Sequence, residues 1–196
     1  MLRPVLVTPP AGDIVPVAEV ARHCRAEDVA EDAAMLQGFI NAAVQHFDGW
    51  SGILGRCLLT QGWRLDLGCW PATRTIRLPF PDVSAVTTIA YSDGDDAEQT
   101  VSSSLYALVE DARGAAIRFL DGFTAPSLYG DRPDPVRVTF QAGYGTADDV
   151  PQPVKLAITM LAAHWYEHRE AAGEGQMAPI PHAVDALTAP YRRVGF

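Results

Sequence analysis

The stretch HWYEH, residues 164–168, sets His164 and His168 four apart with Glu167 just before the second. That is the H-x-x-E-H spacing of one class of zinc peptidase. Two histidines at this separation share a helical face and can clamp a metal from two points. A catalytic zinc site needs three protein ligands and an open position. Glu170 and Glu174 follow too closely to bring a third ligand from a separate element. The spacing therefore favours a helix with two partly exposed histidines. A zinc-dependent hydrolase using His164, Glu167 and His168 is the alternative to be tested.

Other chemistry-bearing stretches reduce in the same way. AGYGTADD (142–149) looks like a phosphate loop but lacks the Gly-Lys-Ser/Thr ending. Asp148 and Asp149 would repel phosphate there. Its glycines suit a sharp turn from strand into helix, and its aspartates suit a helix N-terminus. SDGDDAE (92–98) has the composition of a calcium loop without the Gly and Glu in register. Asp93-Gly94 reads as a hairpin turn. Ser51 lies in W-S-G and not in G-x-S-x-G, so no nucleophile elbow is encoded. Cys69, before Trp70-Pro71, has no histidine that can be placed beside it. No acid, base and oxyanion hole can be assigned together, and no cofactor is called for. The C-terminal APYRRVGF is different in kind. It sets Arg192 and Arg193 between Tyr191 and Phe196. Arg and aromatic residues are frequent interface anchors.

The elements that must carry these residues are legible from periodicity. A short helix is expected near 16–25, with Pro16 in its first turn. Val29, Ala33, Leu36, Ile40, Ala43 and Phe47 form one helical stripe, and Gly49 and Gly52 suggest its end. The period then changes to two. WRLDL (63–67), TIRL (75–78), AIRF (116–119) and VRVTFQ (136–141) alternate apolar and polar residues as half-buried strands do. Residues 83–91 are rich in Val, Thr and Ile, a strand with blurred alternation. Residues 121–135 form the least ordered loop by composition. Val154, Ile158, Leu161 and Trp165 restore the helical stripe, in a helix expected to run to about 170. A last short helix is expected near 181–189. Residues 1–12, with Pro4, Pro9 and Pro10, read as an irregular arm. The expected fold is α+β. N- and C-terminal helices (about 16–52 and 151–190) form a helical bundle, with a small antiparallel β unit inserted at about 57–143.

Composition bounds the rest. A chain of 196 residues can bury roughly 70% of its unfolded surface, so it needs neither disulfide nor metal for stability. Three scattered cysteines without C-x-x-C spacing fit a reducing cytosol. The N-terminus lacks the apolar core of a signal peptide, and no apolar run approaches a membrane span. Net charge is -9, and Lys155 is the sole lysine. This argues against a broad phosphate-binding surface.

Five segments together resemble one family. They are GRCLLTQGWRLDL (55–67), RLPFPDVSAVTTIAYSDGD (77–95), VRVTFQAGYG (136–145), VPQPVKLAITMLAAHWYEHRE (150–170) and PYRR (190–193). In order and spacing the chain is similar, from about residue 17 to 193, to the head–tail connector or adaptor family of tailed bacteriophages, which includes the adaptors of gene transfer agents. The resemblance implies a single connector domain over residues 1–196 and a non-enzymatic virion protein. It implies a ring, typically a dodecamer, that binds the portal protein at the capsid vertex and carries the stopper or tail-completion protein below. DNA would pass through its channel without specific binding, and the particle would assemble in the bacterial cytoplasm. In related adaptors the C-terminal segment reaches the portal. Tyr191, Arg192, Arg193 and Phe196 are thereby the candidate portal contacts.

Overall fold

A computed structural model describes residues 2–25, 29–168 and 182–193, with backbone alone at 29–31. The chain divides into two compact units. One joins the N-terminal segment, up to Ala11, to Thr60–Gly143. The other joins Gly12–Leu59 to Tyr144–Gly195. The whole is α+β with antiparallel sheets.

The first unit holds the strands. β1 (Val5–Thr8), β2 (Gln61–Leu67), β4 (Val83–Ser92), β5 (Glu98–Thr100) and β8 (Val136–Ala142) form an antiparallel sheet in the order β1-β2-β8-β4-β5. β3 (Thr75–Arg77), β6 (Tyr106–Asp111) and β7 (Gly114–Phe119) form a second sheet, ordered β3-β7-β6. The alternation in VRVTFQ is realised on the central strand. Val136, Val138, Phe140 and Ala142 are buried, while Arg137, Thr139 and Gln141 are not. Register places Trp63 and Val86 on either side of Phe140, and Leu65 and Ile89 on either side of Val138. Apolar cross-strand neighbours of this kind stabilise a sheet more than propensity does. The blurred alternation of 83–91 has a cause: register shifts between Val83 and Ala85 and again between Val86 and Thr88. A shift of one residue turns side chains to the opposite face.

Three strands depart from expectation. The segment read as an irregular arm contains β1, so the chain opens on a strand and not on a helix. Gly62 makes room for it, since a Cβ there would meet Thr8 Oγ1 at 2.9 Å. β5 and β6 were not expected either. β5 is wholly polar and exposed, and β6 is partly exposed in its first half and exposed in its second with no buried face, so neither carries a clear period-two signal. The loop at 121–135 has no regular structure, yet it is tied down. The Arg74 guanidinium donates to the carbonyls of Leu120, Asp121 and Phe123. Trp70 Nε1 donates to Pro126 O at 3.0 Å, and its ring packs edge-on against Tyr91, Phe119 and Phe123.

The second unit holds the helices α1 (Val17–Cys24), α2 (Val29–Phe47), α3 (Gln152–Glu167) and α4 (His182–Thr188). They contribute to one apolar cluster, with Val20 from α1, Leu36, Ile40 and Phe47 from α2, Val154, Ile158 and Leu161 from α3, and Val184 from α4. Burying each such Leu or Ile contributes about 1.5–3 kcal/mol. The α3 stripe departs from expectation at its last turn. Trp165 is half-exposed, whereas Tyr166 is buried and its hydroxyl donates to the Asp32 carboxylate on α2. α2 ends where expected. Gly49 takes φ 74°, and a Cβ on Gly52 would fall 2.3 Å from Asp48 O. Gly143 and Gly145, at φ 135° and 133°, turn the chain from β8 toward α3.

Candidate interaction surface

The C-terminal segment is folded back onto the helical unit as far as Arg193. Thr188, buried at the end of α4, donates from Oγ1 to Val184 O at 2.8 Å. A 3-10 turn, Ala189–Tyr191, follows. Arg193 N–H then donates to Leu54 O at 2.8 Å, so the chain lies along the turn that follows α2. Gly55 sits beneath it at φ 63°, and a Cβ there would stand 3.4 Å from Arg193 Cβ. This return places the four candidate contacts differently. Tyr191 leans on the helical core. Arg192 is exposed and holds Asp185 Oδ1 at 2.7 Å. Arg193 is half-buried, and desolvation first, then the neighbouring Arg56 charge, push its guanidinium pKa down. Phe196 lies outside the described residues.

Residues that the sequence did not single out join this surface. Arg56 Nη1 donates to Tyr144 Oη at 2.5 Å, with its guanidinium carbon 5.3 Å from the Tyr144 ring centroid. Asp48 Oδ1 accepts from Leu58 N–H at 2.6 Å and so closes the turn. Trp50 and Ile53, on that same turn, are exposed. Aromatic, branched aliphatic and guanidinium groups thus come together around residues 50–56 and 191–193. This mixture suits a protein partner better than a reaction. Trp50 could have been noticed as an aromatic in a glycine-bounded turn. Arg56 and Tyr144 could not, because 88 residues separate them.

The other motifs resolve into local structure. The His164 and His168 rings lie 4.4 Å apart, and His168 Nδ1 is 2.9 Å from the His164 carbonyl oxygen at the end of α3. Among the described residues no group of three or more His, Cys, Asp or Glu is placed to hold a metal. In the would-be phosphate loop, Thr146 N–H and Oγ1 both donate to Asp149 Oδ2, at 2.8 and 2.7 Å. Those bonds hold the Asp149 carboxyl below its ordinary range and occupy a donor that a phosphate would need. Asp149 therefore caps a 3-10 turn, Ala147–Asp149, and not α3 itself. Asp93 Oδ1 accepts from Asp95 and Ala97 N–H, and Oδ2 from Gln99 Nε2, so the carboxylate builds the β4–β5 turn. Cys69 is exposed beside a shallow cavity of about 340 Å³ lined by Leu67, Pro71, Thr75, Ile76 and Arg77. No histidine lines it.

Six arginines are committed to acidic partners. Arg64, Arg74, Arg77, Arg132, Arg137 and Arg192 each pair with an aspartate or glutamate. Guanidinium groups held in this way are not gathered into a stripe for phosphates.

No protein-family model and no curated sequence matches the chain. Solved structures do. The chain is 30% identical, with a TM-score of 0.77, to a chain in the neck of an empty GTA particle computed with C6 symmetry. It is 29% identical, at 0.78, to a chain in the virion of a native gene transfer agent (GTA) particle. It is 27% identical, at 0.75, to a chain in the neck of a native GTA particle computed with C12 symmetry. Each match spans 100% of this chain and 97% of the other. Both units are thus shared with these particle components. The chain belongs to the head–tail connector family of tailed phages and gene transfer agents.

Proposed function

We propose that this chain is a head–tail adaptor, a non-enzymatic structural subunit of a phage or gene-transfer-agent virion. Copies form a ring, a dodecamer on the C12 precedent, that binds the portal at the capsid vertex and joins it to the stopper or tail. The observation that carries the reading is the likeness to neck chains over the entire length, at 27–30% identity. The helical unit supplies a rigid body, and the surface around Tyr191, Arg192 and Arg193, with Trp50, Ile53 and Arg56 beside it, supplies the portal contact. Phe196, outside the described residues, remains a candidate portal contact by resemblance alone.

The electrostatics fit a passage for DNA. Net charge is -9, and six arginines are held by carboxylates. Clustered free cations would bind the phosphate backbone and slow its transit. Among the described residues no helix is long and apolar enough to cross a membrane. The test is to mix the purified chain with its cognate portal and image the product. A cyclic ring seated on the portal is expected.

A further inference from the structure

Among the described residues β1 is an outer strand of the five-stranded sheet, paired with β2 alone. Its side chains Val5, Leu6 and Val7 are 42%, 42% and 51% exposed, and Leu2 just before it is 46% exposed. Successive residues of a strand point to opposite faces. Exposure of all three therefore means that both faces of the strand, as well as its outer edge, are open. Edge strands ordinarily guard against pairing by charge, extreme shortness or a covering element. The opposite edge, β5, follows that rule. It is Glu98–Thr100, three polar residues, and Glu98 is paired with Arg137. β1 carries no charge, and prolines bound it at 4 and 9, which limits the open ladder to this short apolar segment. It is also preset. The ladder to Arg64, Trp63 and Gly62 and the close approach of Thr8 at Gly62 hold it in place.

We infer that β1 is a subunit–subunit contact, buried against the next copy of this chain in the ring. The inference rests on the ring reading above. A second copy is the occupant that the observations favour, because the similar chains belong to necks treated with C6 and C12 symmetry. Cyclic symmetry above two-fold requires heterologous contacts, in which one patch of every subunit meets a different patch of its neighbour. An apolar edge repeated on each copy is then covered on every copy.

The double substitution V5K/V7K puts charge on two of the exposed apolar positions of the strand. Both side chains are exposed, so the isolated chain keeps its fold, which unchanged thermal unfolding checks. Assembly is followed by light scattering and electron microscopy on the cognate portal. The variant is expected to need about tenfold or more protein for half-assembly, from the loss of two valine contacts per interface. Amide exchange at Val5–Thr8 in the unsubstituted chain is expected to slow on assembly. Rings that form as readily with V5K/V7K, or exchange at β1 that does not change, would overturn this inference and leave the adaptor reading intact. An unsubstituted chain that never self-associates, on portal or off it, would overturn both.

Discussion

Asp111 and Arg77 show what a single residue pair contributes. They meet through two parallel bonds of 2.7 and 2.6 Å across the second sheet, and Asp111 Oδ1 also accepts from Arg113 N–H. Arg77 first, then the backbone bond, lowers the Asp111 pKa from 3.8 to about 2. A carboxylate whose folded pKa is depressed stabilises the fold above its unfolded pKa. That contribution is complete above about pH 4 and disappears as pH falls through about 2. An NMR titration should find the Asp111 midpoint near the bottom of the carboxylate range. In Arg77→Ala it should rise toward the ordinary value but stop short, because the Arg113 N–H remains. His164 and His168 test chemistry at the same scale. After dialysis against a chelator the chain should hold far less than stoichiometric zinc, and His164→Ala should not change that. Spacing alone could suggest the clamp, since i and i+4 share a face. It could not show that the second ring turns back to the first residue's carbonyl. The same limit applied at Tyr166, whose hydroxyl finds its partner on an aspartate 134 residues away.

At the scale of elements, burial separates residues that composition treats alike. Leu161 is fully buried on α3, and Leu156, five residues earlier, is 45% exposed. Leu161→Ala should cost about 2–5 kcal/mol in chemical denaturation. Leu156→Ala should change stability by no more than about 0.5 kcal/mol. Equal costs would mean that the helix packs on a different face. The helices and the buried strands were legible because a one-sided core imposes a period of 3.6 or 2. The helix read from the stripe at Val29, Ala33, Leu36, Ile40, Ala43 and Phe47 spans Val29–Phe47, and the strand in VRVTFQ spans Val136–Ala142. β1, β5 and β6 were not legible, because none of them buries one face against a core and so none need alternate. The loop at 121–135 looked unstructured because its order comes from Arg74 and Trp70, which are distant in sequence. Of the candidate surface, Tyr191, Arg192 and Arg193 were visible as an aromatic and basic tail. Their partners in the 50–56 turn were not, since only the folded chain brings Leu54 to Arg193.

For the whole molecule, no single motif explains the chain, but the sum of its segments does. A catalytic site would concentrate perturbed groups in a cleft. Among the described residues the shifted groups belong to surface pairs, turns and the C-terminal return, with Tyr106 on β6 raised by burial. That distribution suits a protein whose work is done by its surfaces. On the proposed reading, that work is done by contacts repeated around a symmetry axis. The most direct test mixes the purified full-length chain with its cognate portal and examines the product by electron microscopy and light scattering. The account predicts a portal capped by a cyclic ring of this chain. A chain that stays monomeric and leaves the portal bare would contradict it.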